Sequence, residues 1–222
     1  ALADARVKAG QTRDTTGMEI NAGHGQRTVS FDPPPATAYQ KALWPTKMPE
    51  DFVTKLGTNL QGQPLGIDLG PPAVWLTDKP DMRGKVVIVW FFATQSHISM
   101  NDWTTLEGLV RRHRDDLVVL GITGNGFDVA VDQKVGVERF LRTRPTQEFA
   151  HIYDVEQKIG QKLSLRLLHC LVVSTDGVVR FQGVPNQTDF QKVVENVIDV
   201  DPGVAARRKA EAQAAMRDAR KP

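Results

Sequence analysis

The chain has 222 residues, enough for one sizeable core with extensions, and its 41% hydrophobic and 24% charged residues are ordinary for a globular protein. A net charge of +2 does not by itself imply nucleic acid, and no run of about 18 apolar residues exists, which excludes a spanning helix in the sequence shown. One cysteine, Cys170, excludes an internal disulfide.

The chain does not begin with Met and opens on no positively charged, apolar leader, a start expected of a mature form whose leader has been removed. Residues 1–72 are rich in Gly, Pro, Thr and Gln around Pro33-Pro34-Pro35 and keep no sustained period, so they read as an irregular arm that wraps the domain or a neighbour. From Ala73 the pattern changes. Val74-Trp75-Leu76 reads as a short strand and Asp81-Met82-Arg83-Gly84 as a turn into a buried strand, Val86 to Phe92. Met100 to His113 reads as a helix with Trp103, Leu106, Leu109 and Val110 at helical spacing, and Leu117 to Ile122 as a second buried strand. A loop with Gly124 and Gly126, a helix Val135 to Arg142, a strand Phe149 to Tyr153 and a helix Val155 to Leu163 follow. Leu167 to Ser174 is a strand, and Asp176-Gly177 is a hairpin turn before Val178 to Phe181. Thr188 to Ile198 closes the unit as a helix with Phe190, Val193, Val194 and Val197 on one face. The order β-β-α-β-α-β-α-β-β-α implies an α/β layer sandwich with a mixed sheet over residues 73–199.

Residues 200–222 read as an Ala-rich charged helix, with Asp201 as its cap and Pro202 at its first position. Six Lys/Arg against two acids in residues 203–222 give this tail +4, leaving about −2 for the rest. Its alanine face buries little area, so the helix is expected to project or to meet a partner.

Gly84-Lys85, the apolar strand, Phe91-Phe92-Ala93 and the helix after Ser99 together resemble the active-site segment of the thioredoxin-like family, in particular its TlpA/ResA-like extracytoplasmic redoxin branch. The resemblance covers roughly residues 73 to 199 and implies a thioredoxin-like three-layer sandwich. Such proteins carry Trp-Cys-x-x-Cys where this chain has Gln95, Ser96 and Ser99. By the same alignment Leu168 takes the place of the family's cis-proline, and Trp90 that of an acid buried beneath the first cysteine. Redox exchange needs a thiolate, which a helix N-terminus can bring from a pKa of about 8.5 to about 3.5–7.5. A serine hydroxyl is far less acidic, and helix-end charge effects of about 0.3–1 kcal/mol do not make it comparable. The site is therefore read as degenerate, with one serine serving as a helix cap. Engineered Cys-to-Ser exchange accounts for the serines alone, whereas natural loss also accounts for Gln95, Trp90 and Leu168.

His97 lies between the serines, but neighbours in sequence do not point together and no acid is evident to orient a Ser-His pair. His97, His169 and Cys170 offer two imidazoles and a thiolate to copper or zinc. Strand alternation sends His169 and Cys170 to opposite faces, which favours a structural cysteine. Arg207, Arg208, Lys209, Arg217, Arg220 and Lys221 are the candidate partner-binding residues, offering charge to acidic protein or an anionic membrane surface. No aromatics interleave them, which disfavours nucleic acid. The reading is a non-catalytic thioredoxin-like binding or assembly subunit, extracytoplasmic (periplasmic) or organellar, with no cofactor, meeting protein partners through the N-terminal arm and C-terminal helix. The alternatives are a thiol-disulfide or peroxide-handling enzyme working through Cys170 alone, a Cys-to-Ser active-site mutant of such an oxidoreductase, or a metal-binding module.

Overall fold

The computed structural model describes residues 29–67, 69, 74–124, 134–144, 148–164 and 168–220. Residues 1–28, Gly126, Leu167 and Lys221, all used in the sequence reading, lie outside them. In chain order the elements are α1 (Ala36–Lys41), α2 (Glu50–Leu56), β1 (Val74–Trp75), β2 (Val86–Phe91), α3 (His97–Arg112), β3 (Leu117–Gly124) and α4 (Lys134–Arg142). Then come β4 (Ala150–Asp154), α5 (Lys158–Lys162), β5 (Cys170–Val173), β6 (Val179–Gly183), α6 (Phe190–Val200) and α7 (Pro202–Asp218).

The strands form one mixed sheet in the order β1-β4-β3-β2-β5-β6. β2, β3 and β4 run parallel, and β1, β5 and β6 pair antiparallel to their neighbours. Central β3 is buried along its whole length, the condition under which a strand reads as a continuous apolar run. Successive β2 side chains go to opposite faces. Ile88 and Trp90 join Trp103, Leu106 and Leu109 of α3, Val137 and Leu141 of α4, and Phe190, Val194 and Val197 of α6. Val89 and Phe91 join Ile159 of α5, Leu163, and the half-buried Leu60, Leu65 and Ile67. This is the expected α/β sandwich with both faces covered. Gly84 and Gly177, with φ of +65° and +79°, make the two predicted turns.

Two expectations are corrected. Residues 29–67 are not an irregular arm: α1 and α2 follow Pro35 and Pro49, and Tyr39, Val53 and Leu56 are buried. Helices of six and seven residues are too short to show a period. The root of α7 does not project either. Val204 is fully buried in the main core, and Arg207 is buried beside it. Residues on both flanks of 73–199, Tyr39, Val53 and Leu56 before it and Val204 after it, are buried with the core. Among the described residues no helix is long and apolar enough to cross a membrane.

Candidate functional site

β2 leads into a tight turn in which Ser96 N–H donates to the Ala93 carbonyl at 3.1 Å, and α3 starts at His97, three residues earlier than the apolar stripe suggests. The Ser96 hydroxyl accepts from Ser99 N–H at 3.3 Å, the capping role foreseen for one serine. The Ser99 hydroxyl is fully buried and accepts from Ala93 N–H at 3.2 Å. Both side chains satisfy backbone donors, and neither bond supplies a base that would make a nucleophile. Gln95 and His97 are exposed, as is Ile98 at 61%, while Leu168 sits half-buried before His169.

Beneath this turn lies a group that sequence reasoning missed. Asp102, three residues beyond Ser99 on α3, is fully buried, and its Oδ1 accepts from Asn186 Nδ2 at 2.7 Å. Burial pushes its carboxyl up to about 6, opposed by the Trp90 indole N–H beside it. That indole stops short of a formed hydrogen bond, for among the described residues Trp90 Nε1 and Asp102 Oδ2 both stand without a partner. Trp90, which the resemblance sets in place of a buried acid, has an acid beside it after all, supplied from the helix. The signal was present, since Asp102 lies on the same face as Ser99 and Leu106. A helix begun at Met100 places it in the first turn, where an acid is ordinary.

Cys170 pairs with Trp90 across the β2–β5 ladder and is fully buried. Burial, with the nearby Asp102 charge, holds its thiol well above the usual range. His169 is on the opposite side of the sheet, its ring centroid 5.5 Å from Phe91 and its Nε2 3.4 Å from Gln182 Nε2. The strand therefore separates His169 from Cys170 as alternation predicted. Among the described residues no group of three or more His, Cys, Asp or Glu is placed to hold a metal ion, and the opposite placement of His169 and Cys170 keeps them from converging with His97 on one ion.

A second buried titratable group, His151, was also missed. It sits among Phe92, Trp103 and Phe149 with ring centroids 5.4–6.1 Å away. Among the described residues neither of its ring nitrogens has a hydrogen-bond partner, and burial pulls the imidazole down to about 4. Trp90 stacks on Phe92 at 4.6 Å and meets Trp103 edge-on at 5.7 Å, so the two buried titratable groups adjoin one aromatic cluster.

The basic candidates divide. Arg207 is turned inward: Nε donates to the Gly84 carbonyl at 2.9 Å, and the guanidinium pairs with Asp116 and, at 2.7 Å, with Glu211. Arg208 also pairs with Asp116, at 2.8 Å. Arg207 thus contributes to the fold and not to a partner surface, because the long aliphatic stem that the sequence assigned to solvent packs at the α7 root. Lys209, Arg217 and Arg220 remain exposed.

Neither a protein-family profile nor a curated protein sequence matches the chain. Solved structures do. A thioredoxin-like protein studied in solution in its oxidised form superposes with a TM-score of 0.52 at 13% identity, over 65% of this chain and 99% of that one. A candidate protein disulfide isomerase from Bacteroides thetaiotaomicron superposes with a TM-score of 0.50 at 18% identity, over 65% and 92%. The fold is thioredoxin-like.

Proposed function

We propose that this thioredoxin-fold chain is a non-catalytic binding or assembly subunit of a larger complex, in an extracytoplasmic or organellar compartment. One observation carries the reading. At the place where the redox pair would stand, both hydroxyls are committed to backbone N–H groups, and the only thiol in the chain is sealed in the core. Dithiol exchange needs an accessible thiolate and a second thiol in reach, and this chain offers neither. The contact elements are the exposed turn at Gln95–Ile98 and the stretch from Lys209 through the end of α7, where Lys209, Arg217 and Arg220 face solvent and Met216 is 62% exposed. Size-exclusion chromatography with mass analysis, on material isolated gently from its native source, tests this. Elution in a larger assembly is expected, and a clean monomer overturns it.

A second reading, thiol-disulfide chemistry through Cys170, draws on the solved structures named for such chemistry and on the buried acid beside that thiol. It requires Cys170 to react with a soluble disulfide while the protein is folded. Reaction confined to unfolded protein removes this reading, and rapid reaction of the native chain replaces the first with it.

A further inference from the structure

Trp90 Nε1 and Asp102 Oδ2 are a donor and an acceptor, both buried, both without partners, and side by side. Unpaired groups of this kind are costly, about 1–3 kcal/mol for a neutral one and more for a charge, so the arrangement favours the protonated acid. An ionised carboxylate at the same place recruits the unpaired indole donor beside it, since a hydrogen bond to a charged group is shorter and stronger than a neutral one. We propose that Asp102 and Trp90 form a protonation-driven latch: ionisation draws the indole N–H onto Oδ2, and protonation releases it. The other polar groups packed around Asp102 do not compete. From β5 the neighbour is the Cys170 thiol, held neutral by burial. From the loop before α6 it is Asn186, whose amide is already given to Oδ1 while its own oxygen accepts from Thr105. His151, across Trp103, stays neutral above about pH 4.

The latch ties the end of β2 to the first turns of α3. A shift of the Trp90 ring bears directly on Phe92, stacked on it at 4.6 Å. Close-packed interiors pass such a displacement on. It then reaches Ala93, whose N–H holds Ser99. The exposed turn would thus take two shapes on either side of about pH 6, so that whatever docks there meets a pH-dependent face.

Proton and carboxyl-carbon NMR of the full chain between pH 4 and 8 tests this without any substitution. The Trp90 indole proton is expected to move downfield together with the Asp102 carboxyl titration, with a shared midpoint near 6 and the Ala93 amide following. Trp90→Phe is expected to raise the Asp102 midpoint by removing the donor that favours the ionised form. Asp102→Asn is expected to abolish the indole transition, while His97→Gln and His113→Gln leave it in place. An indole proton that ignores the carboxyl titration, or an Asp102 midpoint unmoved by Trp90→Phe, overturns the latch.

Discussion

The two ends of the molecule to which the sequence pointed are built on opposite terms. At the start of α3 the two serines each hold one backbone group: Ser96 caps and Ser99 braces Ala93, while Gln95, His97 and Ile98 face solvent. At the root of α7 they form a mesh. Asp201 caps the helix through Gly203 N–H at 2.8 Å, accepts from Thr175 N–H at 2.8 Å and from its hydroxyl, and that hydroxyl pairs with Tyr39 at 3.0 Å. One turn further on, Arg207 joins Gly84, Asp116 and Glu211. Charge in the sequence looked like an advertisement to partners, yet two of the tail's six basic residues, Arg207 and Arg208, fasten the helix to its own domain, whereas the quiet end is the one left open.

The comparison is broken most easily at Arg207. Its side chain is 5% exposed and Asp116 is 13% exposed, so removing the guanidinium strands a largely buried carboxylate with only the exposed Arg208 as partner. Breaking such a pair costs about 3–5 kcal/mol. Arg207→Met keeps the stem and is expected to lose about 3 kcal/mol in urea unfolding, with most of the fall recovered when Asp116→Asn is added. A loss under about 1 kcal/mol would return Arg207 to the list of surface charges.

Between the two ends, the buried pair Asp102 and His151 gives a pH signature of opposite sign. Asp102 has its folded pKa raised from 3.8 to about 6. Its extra stability is therefore complete below 3.8 and lost as pH rises through 6. His151 has its folded pKa depressed from 6.5 to about 4. Its contribution is complete above 6.5 and lost as pH falls toward 4. Between pH 4 and 6 the slopes oppose, each amounting to about 1–3 kcal/mol over the window. Asp102→Asn is expected to gain on the wild type from pH 4 to 7 by about that amount, and to unfold more steeply in acid because His151 is no longer offset. Parallel stability curves for the two proteins would remove the buried carboxyl from the ledger.

How far these features were legible in the sequence follows from their range. The chain order of the elements and the mixed sheet could be read because Val86 to Phe92 and Leu117 to Ile122 are apolar runs bounded by turn residues, and Asp176-Gly177 closes a local hairpin. The Ser96 cap and the Asp201-Pro202 helix start are equally local. Arg207 and Asp102 were misjudged or missed because their partners are distant: Asp116 is 91 residues away from Arg207, and Asn186 is 84 from Asp102. No period in the chain announces such a pairing. The short α1 and α2 failed for a different reason, since their stability comes from the surfaces on which Tyr39, Val53 and Leu56 are buried and not from any pattern of their own.

The smallest effects sharpen the contrast at the open end. Ser99→Ala leaves the Ala93 N–H without its buried acceptor, a loss of about 1–3 kcal/mol. Ser96→Ala forfeits one cap at a half-exposed position, about 1 kcal/mol. Both serines should therefore behave as structural groups whose removal is visible in unfolding, with Ser99 the larger. Arg208, 47% exposed, is expected to cost under about 1 kcal/mol when changed to alanine, because Arg207 still satisfies Asp116. If Ser99→Ala leaves stability unchanged but weakens co-elution of the chain with its assembly, the buried hydroxyl shapes the turn that a partner reads, and the open end is a working surface in its own right. If stability and co-elution fall together, Ser99 acts only through the turn it braces, and the contact lies in the exposed residues Gln95, His97 and Ile98.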